Sequence, residues 1–176
     1  FRTVFGVILG TGCGGGLVVE GDLLNGPNAV AGEWGHNPLP WASDAERPGP
    51  ECYCGKHGCI ESFVSGLGLS RAYQEYSGEF KTAAEISALT ESKDKAAVQA
   101  LSLYETRLAR ALAGIINVLD PHVIVLGGGL SNIDRLYKTV PKIWGQWVFS
   151  DDAVTPLKRN IHGDSSGVRG AAWLWD

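Results

Sequence analysis

The sequence predicts an α/β domain, and three patterns carry that expectation: a glycine-rich β-hairpin at the start, a long amphipathic helix in the middle, and single apolar strands set between helices after it. Val4 to Leu9 and Leu17 to Val19 are β-rich apolar runs with a mostly glycine stretch between them, which reads as a hairpin with an open turn. Glu20-Gly-Asp22 then turns the chain toward a weaker strand near Leu23 and Leu24. Ile60 to Tyr76 reads as one helix despite Gly66 and Gly68. Thr82, with Glu85 three residues on, forms a capping box for a short helix ending near Thr90. From about Lys93 to Leu119 the apolar positions Leu101, Tyr104, Leu108, Leu112, Ile115 and Leu119 recur at helical spacing, and Pro121 follows the end. Val123 to Leu126 is uniformly apolar, as a strand buried on both faces should be. Ser131 or Asn132 is the expected cap of a helix through about Trp147, followed by a strand at Lys158 to Ile161 and a helix at Ser166 to Trp175. Trp144 and Trp147 lie one turn apart and fit either a core or an interface.

Size and composition narrow the function. A chain of 176 residues suffices for one well-buried domain or one lobe of a larger protein. The net charge of −4, without a basic cluster, argues against a nucleic-acid-binding surface. No apolar run approaches the roughly 18 residues of a membrane span, and the cytoplasm is the simplest compartment. Three of the four cysteines form one tight cluster and Cys13 stands alone among glycines, which does not read as a disulfide framework. The chain starts at Phe1, contains no methionine and enters a strand almost at once, so an upstream lobe is expected to be absent.

Two glycine stretches point to a nucleotide. Gly10, Thr11, Gly12, Cys13, Gly14, Gly15 and Gly16 can converge backbone N–H groups into a phosphate-binding nest. Gly10, Gly12 and Gly15 match a dinucleotide fingerprint formally, but a strand follows instead of the required helix, and no Gly-Lys-Ser/Thr of a P-loop is present. Gly127 to Gly129 ends a buried strand just before a helix, where small residues serve either close packing or a flat base.

The most specific signal is Cys52-Tyr-Cys54-Gly-Lys-His-Gly-Cys59, preceded by Glu33-Trp-Gly-His36. Three thiolates and one imidazole form the donor set of a structural zinc, with His36 or, alternatively, His57 as the fourth ligand. Glu33 and Glu61 flank it as rigidly held acceptors suited to hydroxyl groups. His122 and His162 have no ligand partners nearby in sequence and read as surface or capping residues.

Taken in order, Gly10-Thr-Gly12, Glu33-x-Gly-His36, Cys52-x-Cys54-Gly-x-x-Gly-Cys59-x-Glu61 and Gly127-Gly-Gly129 resemble the ROK family of sugar kinases and sugar-responsive repressors over nearly the whole chain. The resemblance implies an actin-like, ribonuclease-H-like lobe with a mixed sheet, flanking helices and a zinc-binding insertion at 36–59. It would be the C-terminal lobe of a two-lobe enzyme that transfers phosphate from ATP, with magnesium, to a hexose. By position, Glu33, His36 and Glu61 would contact sugar hydroxyls. His36, Cys52, Cys54 and Cys59 would hold zinc, leaving His36 to serve both through its two ring nitrogens. Gly10 to Gly16 would face the phosphates, and Gly127 with Gly128 the adenosine. Segments 32–41 and 162–175 most resemble members that phosphorylate fructose. The Asp-x-Gly-Gly-Thr phosphate motif and the catalytic aspartate of the family's N-terminal lobe do not occur in this chain, so it is expected to be inactive alone. The family's dimers imply a homodimer at full length. A sugar-sensing repressor domain, or a kinase for mannose, glucose or N-acetylglucosamine, are the alternatives.

Overall fold

The computed structural model describes residues 1–163, so the helix expected at 166–175 lies outside them. Strand β1 (Thr3–Leu9) pairs antiparallel with β2 (Cys13–Val19), Leu9 opposite Cys13 and Thr3 opposite Val19. The short β3 (Asp22–Leu23) extends that hairpin outward. On the other side of β1 lies β4 (Val123–Gly127), parallel to it, and beyond it β5 (Leu157–Arg159), also parallel. The sheet is therefore mixed, in the order β3-β2-β1-β4-β5. Strand β4, lying between β1 and β5, is buried on both faces, which accounts for its unbroken apolar sequence. Along β1 the alternation Phe5, Val7, Leu9 points into the core.

The parallel β1–β4 pair is spanned by four helices: α1 (Ile60–Phe63), α2 (Gly66–Ser77), α3 (Ala83–Glu91) and α4 (Lys95–Leu119). The capping box at Thr82 and Glu85 is present, and Asp94 caps α4 by accepting from the Ala97 N–H at 2.8 Å. Leu101, Tyr104, Leu108 and Leu112 of α4 are buried with Phe5, Leu9 and Leu126 of the sheet in one core. Each such leucine contributes about 1.5–3 kcal/mol of burial free energy. Helices α2, α3 and α5 (Asp134–Ile143) pack against α4, which makes it the spine of the lobe. Trp144 is fully buried, and Trp147 is half-buried with its ring 6.5 Å from that of Trp41. Among the described residues no helix is long and apolar enough to cross a membrane.

Three local expectations are corrected. The open glycine loop is a tight turn: β2 begins at Cys13, and Gly14 to Gly16 lie in the ladder opposite Ile8, Val7 and Gly6. The helix expected at 60–76 breaks at Val64, because Ser65 caps a new helix by accepting from the Gly68 N–H at 3.2 Å. The Gly66 N–H meanwhile bonds outward to the Gly10 carbonyl at 2.7 Å. Ser131 and Asn132 do not cap α5. Ser131 donates to the Gly128 carbonyl at 2.6 Å and closes a 3-10 turn over Gly129–Asn132, and α5 starts two residues later.

Candidate active site

Gly15 of β2 lets another segment lie against the strand. A Cβ on Gly15 would stand 3.0 Å from the Trp34 ring and 3.1 Å from the Gly32 carbonyl, and one on Gly35 would overlap the Cys13 carbonyl. Gly32 itself has φ +94, in the left-handed region that only glycine enters freely. Trp34 is buried there, donating from Nε1 to the Gly14 carbonyl at 2.9 Å and meeting Phe5 edge-on at 5.7 Å. This anchor sets Glu33, exposed, and His36, half-buried, on either side of a 3-10 turn.

His36 faces two ways. Its Nδ1 lies 3.5 Å from the Cys52 sulfur, while Cys54 and Cys59 sulfurs lie 3.6 Å apart. The ligand atoms of His36, Cys52, Cys54 and Cys59 all fall within 4.8 Å of one another. Zinc bonds of about 2.3 Å to sulfur and about 2.0 Å to nitrogen, meeting tetrahedrally, require edges of about 3.5–3.8 Å, so the residues fit zinc. His57 is exposed on the far limb of the cysteine loop and is not part of this group. Backbone bonds shape the loop: Gly55 N–H to the Cys52 carbonyl at 2.9 Å, Cys52 N–H to the Lys56 carbonyl at 2.8 Å, and a bridge between Pro38 and Cys59. The Cys54 thiol is held down to about 7, chiefly by hydrogen bonding from the Lys56 backbone, whereas burial pushes Cys59 up to about 12. With all four positions supplied by protein, the metal would brace the loop and leave no open coordination site for chemistry.

The other nitrogen of His36, Nε2, lies 2.8 Å from the Tyr53 hydroxyl. Local desolvation, then the charges of Glu61 and Glu33, push that phenol up. Glu61, on α1, accepts from the Cys13 N–H at 2.8 Å, and its Oε2 stands 2.5 Å from where a Gly12 Cβ would be. Gly12 is glycine because the carboxylate fills that space. The Cys13 thiol is buried, and desolvation followed by the Glu61 charge raises it far above the ordinary thiol range, which leaves it inert.

The other side of the same turn opens elsewhere. Gly10 and Thr11 line a cavity of about 670 Å³ together with Gly66 and Ser70 of α2, Ala84 and Ser87 of α3, and Gly129 and Asn132. That volume suits a nucleotide-sized ligand. Of the glycines expected to face a nucleotide, Gly10 lines the cavity and Gly12 packs against the Glu61 carboxylate, while Gly14 to Gly16 sit in the strand. Gly127 and Gly128 serve packing: a Cβ on Gly127 would stand 2.9 Å from Ile8, and Gly128 has φ +77 with its α-carbon against the Leu9 backbone. The wall they were expected to form is made by Gly129, Leu130 and Asn132.

A buried ionic group ties the metal loop to the spine. Glu46 accepts from Arg107 Nε at 2.9 Å and from Arg110 at 2.7 and 2.8 Å, and Arg110 also donates to the Trp41 carbonyl at 2.7 Å. Burial alone would push the Glu46 carboxyl up, but the bonds from Arg110, Arg107 and the Ser43 backbone outweigh it and hold it at about 2. Sequence reasoning missed Glu46, Tyr53 and the α2–α3 wall of the cavity. Only Tyr53 carried a signal, as the aromatic inside the cysteine run.

The family model described as ROK family matches residues 1–176. This chain belongs to the ROK family. It is 44% identical to the N-acetyl-D-glucosamine kinase of Photobacterium profundum over 177 residues, covering 98% of this chain and 58% of the relative. It is 45% identical to the Vibrio atlanticus enzyme of the same name over 177 residues, with the same coverage. A ROK glucokinase from Streptomyces griseus, solved with glucose and AMPPNP, superposes with a TM-score of 0.88 at 25% identity over 98% of this chain and 60% of that one. The ROK hexokinase of Thermus thermophilus superposes at 0.83 with 28% identity, over 97% and 56% of the two chains. This chain thus spans about three fifths of the length of the curated relatives it matches.

Proposed function

We propose that this chain is the C-terminal lobe of an ATP-dependent hexose kinase, carrying the sugar grip and one wall of the nucleotide site. One observation supports this above others: the Gly10–Cys13 turn lines the cavity through Gly10 and Thr11 and bonds Glu61 through the Cys13 N–H. Phosphoryl transfer requires donor and acceptor in line and close together, with little covalent work left for the protein. A single turn between the two sites provides that adjacency. ATP, with magnesium, occupies the cavity, and Gly10, Thr11 and Gly12 present backbone toward its phosphates. Glu33, Glu61 and His36 Nε2 hold hexose hydroxyls, the carboxylates accepting and the imidazole donating. Zinc on His36 Nδ1, Cys52, Cys54 and Cys59 fixes that imidazole in one tautomer. We assign no base among the described residues; the proton acceptor would be the aspartate that the family carries in its N-terminal lobe.

The acceptor we favour is fructose, on the likeness of segments 32–41 and 162–175 to fructose-phosphorylating members of the family. N-acetylglucosamine is the second reading, favoured by the names of the 44–45% identical relatives. The complete protein acts as a cytoplasmic homodimer, which light scattering checks. Coupled measurement of ADP release by the complete protein with fructose, mannose, glucose and N-acetylglucosamine tests the assignment. Turnover of one of them is expected, and none from residues 1–176 alone. Sugar binding without any turnover by the complete protein would replace the kinase with a sugar sensor.

A further inference from the structure

Between Cys52 and Cys54, Tyr53 projects its side chain back over His36. We propose that Tyr53 is a specificity-determining residue of the acceptor site, admitting a free hydroxyl beside His36 and excluding an N-acetylated one. This rests on the hexose-kinase reading, in which His36 Nε2 bonds the sugar. The Tyr53 hydroxyl lies 2.8 Å from Nε2, and the two rings meet at 90° with centroids 5.0 Å apart. The backbone of Tyr53 is pinned on both sides by metal-set cysteines and by the Gly55-to-Cys52 hydrogen bond. Its side chain is 84% exposed and unconstrained otherwise. The position of the ring is therefore fixed at its root and adjustable at its tip.

The chemistry follows from the tautomer. With Nδ1 turned to the metal, Nε2 carries the proton and donates to the Tyr53 oxygen, whose own proton is left for an incoming oxygen. A sugar hydroxyl reaching Nε2 can share the site, since it replaces one hydrogen bond and accepts another from the phenol. An acetamido group adds several heavy atoms at the same place. It can enter only by swinging Tyr53 away, which gives up the bond to Nε2 and the edge contact with the imidazole. Discrimination of this kind combines attraction for one ligand with obstruction of the other.

The test is kcat/KM of the complete protein for fructose and N-acetylglucosamine, in the wild type, Tyr53→Phe and Tyr53→Ala, with zinc content measured on each. The wild type is expected to favour fructose. Tyr53→Ala should shift the ratio toward N-acetylglucosamine at least tenfold, through opposite changes of the two KM values, with about one zinc retained per chain. Tyr53→Phe keeps the obstruction and loses the hydroxyl, so it should raise KM for fructose severalfold while still rejecting the N-acetylated sugar. An unchanged ratio in Tyr53→Ala with zinc retained overturns the proposal, as does a wild type that prefers N-acetylglucosamine. A wild type that phosphorylates no hexose refutes the kinase reading itself and this inference with it.

Discussion

Helix α4 with strands β1 and β4 holds its shape by burying apolar side chains, whereas segment 34–59, which carries the candidate metal set, contains only two 3-10 turns and isolated bridges. The first region is specified by period: Leu101, Leu108 and Leu112 on one face of a helix, Phe5, Val7 and Leu9 on one face of a strand. The second has few apolar anchors, mainly Trp34 and Leu39, and is held by the Trp34 hydrogen bond and by Glu46 between two arginines of α4, with His36, Cys52, Cys54 and Cys59 gathered where a metal would join them. The contrast teaches why the site residues cluster where regular structure is scarce. A loop can bring His36, Tyr53 and the three cysteines to one point in a way no single helix or strand could, but it needs strong local bonds to stay there.

If burial alone maintains the first region, Leu108→Ala should cost about 4 kcal/mol of unfolding free energy, the usual range for a fully buried leucine in a packed core. Denaturant melts in the presence of excess zinc would show it, and metal should not rescue the loss. A change below about 1 kcal/mol would mean that α4 is not the spine described.

The join between the regions should be nearly as sensitive, and pH reveals it. Glu46 titrates at about 2 in the folded chain against an ordinary 4.5, so on acidification the unfolded state takes up this proton first. Its contribution is fully present above about pH 4.5 and is lost as pH falls toward 2. The shift corresponds to about 3 kcal/mol, and removing the carboxylate would also strand two buried guanidinium groups. Glu46→Gln is therefore expected to lose about 3 kcal/mol at pH 7 and to show a flatter stability–pH curve between 4.5 and 2. Parallel curves for the two proteins over that window would break the assignment.

Chelation addresses the second region alone. Free zinc at a hundred times its dissociation constant stabilises by about 2.7 kcal/mol, and that increment should vanish on adding chelator or in Cys52→Ser. The loss should be local: hydrogen exchange should accelerate at 36–59 while the amides of α4 stay protected. Global unfolding on chelation, as complete as in Leu108→Ala, would erase the distinction between a burial-held spine and a cross-linked loop.

The legibility of the sequence follows the same divide. Patterns whose cause lies within a few residues were readable: the Thr82–Glu85 capping box, the stripe along α4, the apolar β4 and the cysteine spacing that makes the metal set. Causes that lie far along the chain were not. Gly15 and Gly35 are explained by Trp34 and Cys13 respectively, across a packing contact that composition cannot reveal, and so the stretch 10–16 read as a phosphate loop throughout. Glu46 finds its partners 61 and 64 residues away. The break between α1 and α2 needed Ser65 to be seen as a cap, although Gly66 and Gly68 had already marked the place.

The smallest expected effect sharpens the comparison at its edge. Thr82 is exposed, at the rim of the cavity, and its side chain accepts from the Glu85 N–H at 3.3 Å while Glu85 reaches back to the Thr82 N–H at 2.7 Å. These bonds are local, so Thr82→Ala should cost about 1 kcal/mol, as the loss of an N-cap usually does. Ile86, the one fully buried residue of α3, still anchors that helix to α4 and limits the damage to its first turn. Zinc content should not change, because no bond of this cap touches segment 34–59. A denaturant melt showing a loss above about 3 kcal/mol, well outside the capping range, would place α3 within the cooperative spine and move the boundary between the two regions.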